Sequence, residues 1–155
     1  MTWSALIEAA EAVRAEVAAR DPRVAGLRLA GIGWATVEHE RAIDELDALF
    51  AADRRPDADA GPGAANHPWT SIGPDPALGA LGWLRQTGIP GAWPVLVVLE
   101  PDTEGRLAAS LARFGEGVAV VYLGEGRPGP GSLVPGGSAW GPHAVLLGPR
   151  AAGER

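Results

Sequence analysis

Stretches of helical spacing, short apolar runs and two Gly/Pro-rich segments divide this chain. Over residues 4–20, Leu6, Ala10, Val13 and Val17 fall on one helical face; Ser4 is placed to cap the start and Asp21-Pro22 to end the helix. Residues 26–37, GLRLAGIGWATV, carry no charge after Arg28 and read as a strand whose glycines mark close backbone approach. Residues 39–50 form an amphipathic helix with Ala42, Ile43, Leu46, Leu49 and Phe50 as its apolar stripe. Periodicity then fails over 51–76, which predicts a long loop. Strands are predicted at 77–86 and 93–101, joined by the short turn TGIPGA and so antiparallel. The run Val95–Leu99 is apolar on both faces, which suits a sheet interior. A helix over 103–114 follows, with Asp102 as cap, Leu107, Ala108, Leu111 and Phe114 turned inward, and Gly115 as its left-handed end. Strands at 118–124 and 143–149 flank a second Gly/Pro loop at 125–142. The pattern is α-β-α-loop-β-β-α-β-loop-β, an α+β domain over residues 1–150 with a frayed tail at 151–155.

Composition narrows the partners. The net charge of −6 argues against nucleic acid, whose phosphates would be repelled. Without Cys there is no disulfide, no thiolate metal site and no Cys nucleophile, which fits a cytoplasmic protein. Charges interrupt the N-terminal apolar pattern, so it does not read as a signal peptide, and no run reaches the length of a membrane span.

Few residues offer chemistry. Glu38, His39 and Glu40 share the start of a helix, where neighbours point in different directions and acidic groups suit the helix dipole. His67 and His143 stand apart from His39, and no pair has ligand spacing for zinc. Gly31-Ile32-Gly33 lacks the continuation of a phosphate loop. Glu100 and Asp102 flank a proline and read as a strand end and a helix cap. The acid–base candidates are therefore Glu38, His39 and Glu100. Six Trp are the remaining unusual feature, and Trp34 and Trp83 fall inside predicted strands, as lining for a cleft or as core.

Two segments carry a resemblance. GIGWATVEHERAIDELDALF (31–50) and VLVVLEPDTEGRLAASLARFGEGVAVVYL (95–123), together about a third of the chain, resemble the vicinal oxygen chelate superfamily, the glyoxalase and methylmalonyl-CoA epimerase group. The resemblance implies βαβββ modules, two of which curve into an open cup, with a divalent metal held from their first and last strands. Here the ligand positions fall on Gly31, Val97 and Val120, and residues 143–148 contain no Asp or Glu. Gly and Val offer a metal no lone pair, so neither metal nor cofactor is expected. In this framework Glu100 and Glu116 are structural corners.

The expectation is one vicinal-oxygen-chelate-like βαβββ module, a reduced second module and an added N-terminal helix; a ferredoxin-like βαββαβ sandwich is the alternative. The expected function is metal-independent binding of a small apolar or aromatic ligand in a cleft lined by Trp34, Trp83 and Val97. A metal-independent isomerase or lyase and a non-catalytic interaction protein are the alternatives. A half-built curved sheet leaves edges to cover, which predicts a homodimer.

Overall fold

The computed structural model describes residues 1–53, 69–85, 94–138 and 140–148. It is an α+β structure whose helices pack on a curled seven-stranded mixed sheet. In chain order the elements are α1 (Trp3–Arg20), a 3₁₀ turn (Pro22–Val24), β1 (Leu29–Ala35), α2 (His39–Asp53), β2 (Trp69–Asp75), β3 (Ala80–Arg85), β4 (Val95–Pro101), α3 (Arg106–Phe114), β5 (Gly117–Leu123), β6 (Ser132–Leu133) and β7 (His143–Leu146).

The strand order is β2-β3-β4-β1-β5-β7-β6. β1 runs parallel to β4, and β5 runs parallel to β7. The remaining neighbours are antiparallel, including β3 with β4, as their short connection requires. The pairing repeats: β6-β7-β5 reproduces the arrangement of β3-β4-β1, without a helix between β5 and β6. Two parallel pairs and helices on both faces exclude the ferredoxin-like alternative.

Each face carries its own apolar layer. Leu6, Ala10 and Val17 of α1 and Ala42 and Leu46 of α2 pack on Ile32, Leu96, Val98 and Val121. On the opposite face Leu78 and Leu107 pack on Val97, Leu99, Val120 and Tyr122. Strands buried on both sides read as continuous hydrocarbon, and this is why Val95–Leu99 carries no alternation.

Several local expectations are corrected. Thr2, not Ser4, caps α1, its hydroxyl accepting the Ala5 N–H at 3.1 Å. Residues 69–75 are a strand rather than loop. Gly73 and Pro74 suggested a break, but β2 ends the described sheet, and an edge strand tolerates proline and a bulge, here between Ser71 and Gly73. Residues 77–79 are a turn, in which the Asp75 carboxylate accepts the N–H groups of Ala77 and Leu78. Asp102 caps nothing: α3 begins three residues late, after Gly105, and the Leu107 N–H is satisfied by the carbonyl of Leu78 across the fold. Gly115 ends α3 as expected, at φ 75°. Phe114 lies outside the core at 60 % exposure. Ser132 and Leu133 form a short strand within the predicted loop 125–142. The turn TGIPGA, residues 54–68 and the tail 151–155 lie outside the described residues.

Candidate functional site

Strand directions bring charged groups to one end of the sheet. β1 and β4 end there and β5 begins there, so Thr36, Glu100 and Glu116 surround the start of α2. Glu100 Oε2 accepts the His39 backbone N–H at 2.7 Å and lies 2.9 Å from His39 Nδ1. Glu116 Oε1 accepts three donors: the Thr36 hydroxyl at 2.7 Å, the Val37 N–H at 3.2 Å and the Arg41 guanidinium at 2.6 Å. The free N–H groups and positive end of a helix favour such carboxylates. Glu100 and Glu116 thus seat α2 between β4 and β5.

The two carboxylates differ in surroundings. The Thr36 hydroxyl above all, then the Val37 N–H and Arg41, hold the Glu116 carboxyl below its ordinary range, against a smaller opposing effect of burial. Arg41 is raised in turn, chiefly by its hydrogen bond to Glu116 and then by Glu45. The sign follows for stability. A depressed carboxyl contributes above its unfolded-state value and loses that contribution as pH falls through the folded value. Glu116→Gln is therefore expected to lower stability by about 1 kcal/mol at pH 7. That gap should close below about pH 4. Urea denaturation of both proteins across pH checks it; an undiminished gap in acid would remove the charge from the account.

Glu38, His39 and Glu100 do not form one group. His39 and Glu100 meet, but Glu38 turns away to Arg41 at 3.5 Å with a side chain 65 % exposed. The His39 ring lies flat on Trp83, with centroids 3.8 Å apart and planes 4° from parallel. Among the described residues its Nε2 takes no hydrogen bond. What remains is a carboxylate-oriented imidazole, one nitrogen held and the other open, on an aromatic platform. Further along α2, Asp47 accepts from the Trp69 indole at 3.1 Å and pairs with Arg85 at 3.0 Å, and Arg85 covers Phe50. Arg41 and Asp47 were not singled out from the sequence; the Glu38–Arg41 and Arg41–Glu45 spacings of three and four were local signs of Arg41.

Trp34, Trp83 and Val97 are also divided. Trp34 and Trp83 both stand beside Val98 in register, on the face that α2 covers. Val97 points to the opposite face, because successive strand residues alternate. That opposite face carries a row, Leu84–Val97–Gly33–Val120–His143. Val97 and Val120 are wholly buried in it, and the space beside Gly31 is taken by Pro128, whose Cγ lies 2.7 Å from where a Cβ would stand. Tyr122 and Asp75 are buried on the same face, and burial is the first cause raising the pKa of each. His143 is buried at the end of the row. Among the described residues no three His, Asp or Glu side chains gather as a metal would need. His67 and Trp93 lie outside the described residues.

The α2 face keeps an opening. A pocket of about 240 Å³ lies over Trp34, bounded by Met1, Glu45, Leu46 and Leu49. No helix among the described residues is long and apolar enough to cross a membrane.

No protein-family model matches the chain, and no curated protein matches it. Among solved structures it is similar to a hypothetical protein from Bacillus halodurans C-125, with 14 % identity over 82 % of this chain and 99 % of that one, at a TM-score of 0.45.

Proposed function

We propose that this chain is a metal-independent small-molecule-binding protein, cytoplasmic and built on the vicinal-oxygen-chelate plan. The succession β1-α2-β2-β3-β4 supports that plan, as does its shortened repeat in β5-β6-β7. The observation that carries the binding reading is the chemistry of Gly31, Val97 and Val120. These positions hold no donor side chain and are buried, whereas Trp34 floors an open pocket on the other face. A pocket of about 240 Å³ is small for a drug-sized ligand and suits one or two aromatic rings.

Titration with single- and double-ring aromatics, followed by NMR at the Leu46 and Leu49 methyls, tests the proposal. Saturable shifts are expected, and Trp34→Ala should weaken binding about ten-fold, as loss of an aromatic wall does. No saturable shift, or a stoichiometric bound metal in elemental analysis, would overturn it.

The pairing of His39 with Glu100 at 2.9 Å supports a second reading, a metal-independent isomerase or lyase in which the open Nε2 moves a proton. A non-catalytic interaction protein is the third. A homodimer belongs to the first reading, with a second copy covering β2, which has one neighbour among the described strands. Light scattering should then give twice the chain mass of 15.9 kDa; the mass of one chain at micromolar concentration would remove the dimer.

A further inference from the structure

A second opening lies where α1, α3 and β5 meet, apart from the Trp34 pocket. It measures about 330 Å³ and has apolar walls from Val13, Phe114, Val118 and Pro142. Ser110 and Glu116 also line it. Ser110 is a polar residue among these apolar walls. It is only 2 % exposed, on the inward side of α3, and among the described residues its hydroxyl has no hydrogen-bond partner.

Glu116 supplies the charge. Its three donors all bond Oε1, which leaves Oε2 without a partner among the described residues. The same donors, the Thr36 hydroxyl first, hold its carboxyl below the ordinary range. Arg41 does not cancel the local field, because it is shared among Glu38, Glu45 and Glu116. The α3 C-terminus also faces this opening through Phe114 and Gly115, and the end of a helix carries partial negative charge.

We infer that this pocket binds a small organic cation, an ammonium group carried on an apolar body. The ammonium donates to Glu116 Oε2 and Ser110 Oγ, and the hydrocarbon lies between Phe114, Val13 and Pro142. Hydrocarbon walls with few convergent polar groups are how such pockets fix orientation. An anion would meet Glu116 and the helix end, so the site selects by charge.

Phenethylammonium is a suitable probe, with 2-phenylethanol as its neutral counterpart of similar shape. In NMR titrations the cation should give saturable amide shifts at Gly115, Gly117 and Val118, and the alcohol should bind at least about ten-fold more weakly, the loss expected for one charge-assisted hydrogen bond. Glu116→Gln should erase the difference between the two probes. Because Glu116 also seats α2, Ser110→Ala provides a second test: alanine suits a buried helix position, and the variant should keep its fold while losing several-fold in affinity for the cation. Equal binding of both probes, unchanged affinity in Ser110→Ala, or cation shifts confined to the Trp34 pocket would each overturn the inference. The last result would leave the aromatic-ligand proposal standing, and the two sites are therefore tested separately.

Discussion

Val97→Glu is expected to unfold the protein at neutral pH and to regain part of its stability in acid. Val97 is wholly buried in the centre of the sheet, on the face packed by α3 and the β2–β3 turn. A carboxylate there has Gly33 and Leu84 beside it in register, neither of which is a cation to pair with. An uncompensated buried charge costs about 3–5 kcal/mol, much of a small domain's total stability. The pH dependence runs opposite to that of Glu116. Burial raises the folded-state pKa of the new carboxyl, so the charge penalty is absent below about pH 4, where both states are protonated. Above that it grows by about 1.4 kcal/mol per pH unit until the folded value is reached. Circular dichroism with urea across pH measures this directly. A variant as stable at pH 7 as the parent, or one that takes up a divalent ion stoichiometrically, would show that this face is open and that the binding proposal has the wrong side of the sheet.

Gly33→Val should cost about 3 kcal/mol, the upper end for overpacking a core. A Cβ at this position would stand 2.8 Å from Val120 Cβ and 2.9 Å from Leu99 Cδ1. Leu99 has a flexible end, but Val120 is held by β1 on one side and β7 on the other. Glycine in a strand interior ordinarily weakens it by roughly 0.5–1 kcal/mol relative to alanine. Here the sign reverses, since β1 and its neighbours close around the missing side chain. Pairing Gly33→Val with Val120→Ala should recover part of the loss, because neighbouring sites couple. Denaturant midpoints for the two single variants and the double variant provide the check. Additive losses would mean that Gly33 acts through something other than this contact.

Both predictions concern a face that the sequence described only in part. The apolar run Val95–Leu99 announced a strand buried on both sides, and the structure contains one. The spacing of Leu6, Ala10, Val13 and Val17 announced the inner side of α1; Leu6, Ala10 and Val17 are its buried residues, and Val13 is partly buried against the same core. Gly115 announced the end of α3. These readings depend on local periodicity and backbone preference, which a sequence carries residue by residue. β2 escaped notice because glycine and proline interrupt it, and only its place at the edge makes them tolerable. Asp102 looked like a cap because capping preference is local, whereas the carbonyl that actually serves the Leu107 N–H comes from Leu78, brought there by a turn.

The site divides along the same line. His39 and Glu100 lie 61 residues apart, and their partnership depends on β1 and β4 running parallel. Glu116 reaches Thr36 across 80 residues for a similar reason. Trp34 and Trp83 were grouped as aromatics and Val97 joined them through the family resemblance; the pleat then put the two tryptophans on one face and Val97 on the other. Sequence alone determined the α+β class, the principal helices and strands, and the presence of hydrocarbon or glycine at positions 31, 97 and 120, since these follow from side-chain identity and short-range spacing. Tertiary structure alone decided which carboxylate serves which donor, which face each tryptophan joins and where the sheet leaves space. Those outcomes depend on strand register and on contacts between residues far apart in the chain, which no local pattern encodes.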